Sequence, residues 1–154
     1  MLGVSFIDTS VLCNLVPVPG RDQNADKVRH EMKERLDRRE QFILPITSVI
    51  ETGNFIAQLS DGRERRNTAE KLDKILKMIC EGKAPWVLHD VAWDRSFLQQ
   101  MLDGADTETS YVQHAANQVG AGDLCIINER WHYQQRSQIR ARIWTFDQGL
   151  SAYS

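Results

Sequence analysis

Apolar positions change their spacing along the chain in a way that separates strands from helices. Residues 2–7 are short, Val/Ile/Phe-rich and apolar on both faces, which predicts a strand covered on both sides. Val11, Leu12 and Leu15 follow at helical spacing until Pro17, and Pro17 to Asn24 reads as a loop. A charged helix is predicted over 25–40 with Val28, Met32 and Leu36 on one stripe, then a short strand over 42–45. Two helices, 49–59 and 63–80, read as a hairpin broken at Gly62. A third strand is expected at 86–89, helices at 92–102 and 108–118, a break at Gly120-Ala121-Gly122, and a helix from Asp123 to Gln134. The last strand is expected over 139–146, with Asp147 and a short turn after it.

Strands alternating with helices predict an α/β fold of three layers, with a central, mostly parallel sheet of 4–5 strands flanked by helices. The 154 residues suit a single domain spanning 1–154. A hydrophobic share of 42% and a charged share of 26% exclude a disordered chain. Cys13, Cys80 and Cys125 are too few and too far apart for a disulfide framework or a zinc pattern. With no run of membrane-helix length and no leader-like start, the expected location is cytoplasmic, with no membrane contact.

In a parallel sheet the site lies beyond the carboxyl ends of the strands. Asp8 directly follows the first strand and Asp147 the last, while Glu51 and Asp123 fall in the first turns of helices expected to start on that side. Four carboxylates aimed at one crevice either share protons or gather a divalent cation, and oxygen-only donors favour Mg2+ or Mn2+. Taken singly, each acid also has a structural reading. Asp8, Asp123 and Asp147 could cap helices, and Ser48 with Glu51 has the spacing of a capping box.

Four blocks carry a family resemblance: Phe6-Ile7-Asp8-Thr9-Ser10-Val11-Leu12, Thr47-Ser48-Val49-Ile50-Glu51, Val119-Gly120-Ala121-Gly122-Asp123-Leu124-Cys125-Ile126 and Trp144-Thr145-Phe146-Asp147. In this order, over residues 4–150, the chain resembles the PIN-domain nucleases, and in size the small one-domain toxins of toxin–antitoxin pairs that cleave RNA. The resemblance implies Asp8, Glu51, Asp123 and Asp147 as catalytic acids, and Asp8, Asp123 and Asp147 as ligands of Mg2+ or Mn2+. It implies a ribonuclease whose partners are RNA and a small antitoxin protein. A catalytically weak RNA-binding or assembly module, and a metal-dependent DNA nuclease or phosphatase, are the alternatives. The chain departs from the family pattern at position 127, where Ile replaces a further acid and the next candidate is Glu129, and in its long 17–24 loop.

Ser10 and Thr145 are placed to orient the acids. Arg outnumbers Lys by 13 to 6, a bias that suits phosphate contact. Arg21, Arg130 and Arg136 are the expected substrate-binding cations, with Arg63, Arg65 and Arg66 further candidates; Arg35, Arg38 and Arg39 are read as an exposed face paired with Glu. Trp131 is expected in the core, and a homodimer is expected to form through the helical hairpin near Leu59 and Leu72. The net charge of -2 does not argue against RNA. Without the four site acids the rest of the chain has 19 basic against 17 acidic side chains, and one divalent ion brings the whole to zero.

Overall fold

The protein's structure, a computed structural model, describes residues 3–153. It is an α/β fold built on a three-stranded parallel sheet. The strands are β1 (Val4–Ile7), β2 (Gln41–Ile43) and β3 (Arg142–Trp144), in the order β2-β1-β3. Phe6 faces Ile43 on one side and Ile143 on the other, and Ile7 faces Trp144. All four residues of β1 are buried, as its two-sided apolar pattern requires. Leu2 of the predicted first strand lies outside the described residues.

Helices cover both faces. Ile7, Phe42 and Trp144 point into one core with α1 (Thr9–Leu15), α2 (Ala25–Asp37), α3 (Ile46–Ala57) and α4 (Gly62–Cys80). Val4, Phe6, Ile43 and Ile143 point into a second core, formed mainly with α7 (Ala121–Ser137) and α8 (Gln148–Ser151). Met101 of α5 (Arg95–Leu102) and Tyr111 of α6 (Tyr111–Ala116) border that core. Alternate strand residues therefore feed opposite cores, the period of two expected of a pleated sheet. Among the described residues no helix is long and apolar enough to cross a membrane.

The sheet has three strands among the described residues, not four or five. Around position 86 the chain makes only one parallel bridge, Trp86 to Phe42, with bonds from Phe42 N to Pro85 O and Val87 N to Phe42 O. By Leu88, which is 70% exposed, it has left the sheet. β3 is also shorter than predicted. Ala141 N donates to Gln134 Oε1 and its carbonyl accepts from Arg130, so its backbone groups are satisfied outside the ladder.

Positive φ angles trim the helices. Arg39 at 59° marks the end of the second helix short of Glu40, and Glu108 at 64° keeps the sixth from starting before Ser110, which caps it. Arg35 is not an exposed cation. Its guanidinium bonds Ser5 Oγ, Glu31 and Glu40 and lies 4.1 Å from the centre of the Trp144 ring. Leu72 is buried and Leu59 half-buried in the first core. Trp131 is half-buried rather than a core residue.

Gly104 holds the bend after α5 at φ +100°, where an added Cβ would sit 1.8 Å from Thr109 O. Backbone conformation and backbone collision both forbid a side chain there. Gly104→Ala is expected to cost about 3 kcal/mol and to lower Tm by roughly 6–12 °C. Gly82→Ala, also at positive φ but with nothing within 4 Å, should cost only about 1 kcal/mol. Thermal melts of the two variants check the difference.

Candidate active site

β1 ends at Asp8, whose amide donates to Trp144 O and so closes the sheet one residue beyond the ladder. Asp8 caps α1, accepting from Ser10 N, and is almost fully buried at the floor of a crevice. Its Oδ2 also accepts from Ser10 Oγ and Thr145 Oγ1, both at 2.7 Å. Each hydroxyl in turn accepts a backbone N–H from the turn after β3, Phe146 N on Ser10 and Asp147 N on Thr145. Ser10 and Thr145 thus tie Asp8 and the Asp147 turn into one hydrogen-bonded unit. All these bonds fall on Oδ2, which leaves Oδ1 as the oxygen for a ligand.

Glu51 arrives from the other side of β1, on α3. Ser48 Oγ donates to Ile7 O and tethers this helix to the end of β1. The capping box is absent: the helix starts at Ile46 behind Pro45, Ser48 serves β1, and Glu51 lies in the second turn, accepting from Thr9 Oγ1 at 3.0 Å. Asp123 is the third residue of α7 and does not cap it either, since Gly120 holds that position. Gly122 is inside the helix rather than a break before it. A Cβ there would lie 3.2 Å from Glu51 Oε1 and from Thr47 Cγ2, so the missing side chain lets α7 approach α3. Asp147 caps α8 through Gly149 N and Leu150 N. Of the four acids, Asp8 and Asp147 therefore do cap helices, whereas Asp123 and Glu51 have no such duty.

Asp8, Glu51, Asp123 and Asp147 line one cavity of about 510 Å3 at the carboxyl end of the sheet. Burial, then the charges of Asp8, Asp147 and Glu51, and a proton shared with Asp147 push Asp123 from its ordinary 3.8 up to about 6. Among the described residues none of the four forms an ion pair with Lys, Arg or His. As the side chains stand, no group of three or more His, Cys, Asp or Glu among the described residues is arranged to hold a metal ion. The donor set still fits a hard divalent cation by its chemistry: four carboxylates, no paired cation, and repulsion that such an ion would relieve. Cys13 also lines the cavity, but burial raises its thiol pKa, so it remains a neutral neighbour.

Arg21 lies on the crevice wall as expected. Arg130 and Arg136 do not. Arg130 donates to Ala141 O and faces a separate pocket with Arg140 and Tyr153, while Arg136 donates to Asp90 O. Arg63, Arg65 and Arg66 are exposed on α4, also outside the crevice. Sequence reasoning passed over Thr9, Asn14, Phe55 and Phe146, all of which line the crevice. Asn14 could have been found by its position, one turn after Ser10; it donates to Ser10 O and accepts from Asn24 N, pinning the 17–24 loop to α1. Glu129 is buried against His89, at 3.2 Å, and takes no part in the crevice. Compared with protein-family models, with curated proteins and with solved structures, the chain matches none.

The raised pKa of Asp123 has a thermodynamic consequence. Because the folded state binds the Asp123 proton more tightly than the unfolded chain, the penalty is absent below about pH 4, grows as pH rises through about 6, and is complete above that. At face value the shift is worth about 3 kcal/mol, which solvent screening at this half-buried position reduces to about 1 kcal/mol. In EDTA at pH 8, Asp123→Asn should therefore melt about 2–4 °C above wild type, and the gap should close near pH 4. A wild-type protein that melts higher at both pH values would contradict the repulsion.

Proposed function

We propose that the chain is a Mg2+- or Mn2+-dependent ribonuclease with a PIN-like fold, acting as the toxin of a toxin–antitoxin pair in the cytoplasm. The observation that carries this reading is the convergence of Asp8, Glu51, Asp123 and Asp147, from four separate elements, on one crevice, with none of them in an ion pair among the described residues. A structural cluster would neutralise itself with Lys or Arg, as Arg35 does with Glu31 and Glu40 elsewhere in this protein.

Asp8, Asp123 and Asp147 would hold the ion, which when bound supplies Lewis-acid polarisation of the phosphate and lowers the pKa of a water. Asp8 presents Oδ1 because Ser10 and Thr145 occupy Oδ2. Thr9 holds Glu51 by Oε1, leaving Oε2 to accept a hydrogen bond from the attacking water and aim its oxygen at phosphorus. The water oxygen bonds to phosphorus as the bond to one ester oxygen breaks in line; the water gives up one proton to solvent and the leaving oxygen takes one up from solvent, to leave as a hydroxyl. No side-chain nucleophile is needed.

RNA, DNA and a phosphate monoester offered with Mg2+ or Mn2+ separate this reading from a DNA nuclease or phosphatase. Wild type should cleave RNA, EDTA should abolish cleavage, and Asp123→Asn should lower the rate by at least about a hundredfold, the scale of one lost charge-stabilising group. Equal cleavage by wild type and Asp123→Asn would refute the site. Growth arrest on expression, relieved by a co-expressed small partner, tests the toxin assignment.

A further inference from the structure

The crevice keeps its cations away from its anions. Arg21 lines the cavity that holds four carboxylates and Lys27 stands over its Phe146 wall, yet neither pairs with any of the acids. Each is placed over an aromatic ring instead. The Arg21 guanidinium carbon lies 3.4 Å from the centre of Phe55, and Lys27 Nζ lies 5.6 Å from the centre of Phe146.

The two rings flank the acids. Phe55 is one helical turn beyond Glu51 on the same face of α3, and Phe146 directly precedes Asp147 at the end of β3. α3 is tethered to the end of β1 by Ser48 and the Phe146 turn is bonded to Ser10, so both rings are held at the end of β1 and line the crevice with Asp8. Both cations come from a single stretch of chain. Val18 N donates to Cys13 O, Arg21 N to Val18 O, and Asn24 N to Asn14, so the loop that presents Arg21 runs in fixed geometry into the first turn of α2, where Lys27 sits. Arg21 and Lys27 are nonetheless exposed, with their charged ends open to a ligand.

Resting on the ribonuclease reading, we propose that Arg21 and Lys27 grip two phosphates of the RNA strand, one on each side of the phosphate being cleaved. The rings hold the cations ready and prevent their collapse onto the acids, which stay free for the metal. This gives the long 17–24 loop its purpose: it carries one clamp and positions the helix that carries the other.

The test measures binding of a single-stranded RNA oligonucleotide in Mg2+ as a function of salt, with every protein carrying Asp123→Asn to stop cleavage. Each phosphate contact contributes about 0.7 to the slope of log affinity against log salt. Arg21→Gln and Lys27→Gln should each reduce that slope by about 0.7 and the affinity about fivefold at about 0.1 M salt, and the double variant should lose about 1.4. Lys74→Gln, at an exposed position on α4 outside the crevice, should leave the slope unchanged. Melting curves confirm that each variant is folded. Saturable binding with unaltered slopes in Arg21→Gln and Lys27→Gln would overturn the clamp and leave the ribonuclease reading standing. Failure of the Asp123→Asn parent to bind RNA at all would overturn the ribonuclease reading, and the clamp with it.

Discussion

Asp8 Oδ2 accepts hydrogen bonds from Ser10 Oγ and Thr145 Oγ1, and the geometry around the crevice depends on that one oxygen. It joins the end of the central strand to the turn after β3, across a sequence separation of 137 residues. Bonds from a neutral hydroxyl to a carboxylate are short and stronger than neutral pairs, and two of them here lie in a nearly buried setting. The hydroxyls spend their protons on Asp8 and their lone pairs on the amides of Phe146 and Asp147. Loss of either would therefore loosen a carboxylate and a backbone turn together. The placement of Asp147 and Phe146 is a consequence of Asp8.

The same economy appears on the other flank of β1. Ile7 O has its acceptor capacity used by Ser48 Oγ, which fixes α3, and Thr9 then reaches Glu51 on that helix. Gly122 completes the arrangement by letting α7 come close enough for Asp123 to feel the other three acids. Burial first, and then the charges of the other three acids, raise the Asp123 pKa, and the four acids reach the crevice from different elements.

Much of this was legible in the chain. A strand apolar on both faces followed at once by Asp8, and a last strand followed by Asp147, place two acids at one sheet edge by topology alone. The extents of β3 and of the expected third strand were not legible, because they turn on where single backbone groups bond. Gln134 Oε1 takes the Ala141 amide and Phe42 offers Val87 only one bond, contacts that hydrophobic spacing does not encode. Arg35 is the clearest case of an ambiguous pattern. Its Glu neighbours suggest a solvated face, but Ser5 and Trp144 take it inward, and neither lies near it in sequence. Arg130 and Arg136 lie outside the crevice, a placement that proximity to aromatics in sequence does not encode, because it says nothing about which end of a long helix faces the site.

α7 also explains why a fifth acid is not missed. From Asp123, a side chain four residues on lies on nearly the same face of the helix, one turn further from the sheet edge. That position is Ile127, fully packed with Phe6, Ile43 and Ile143 in the second core. A carboxylate there would have to leave that core or stay uncharged in it. Glu129 is turned by six residues, well away from the Asp123 stripe, and burial raises its pKa while His89 opposes the rise. The His89–Glu129 contact gives this buried carboxyl a hydrogen-bond partner away from the crevice. Asp8, Glu51, Asp123 and Asp147 are the acids that this backbone brings to the crevice at the carboxyl edge of the sheet.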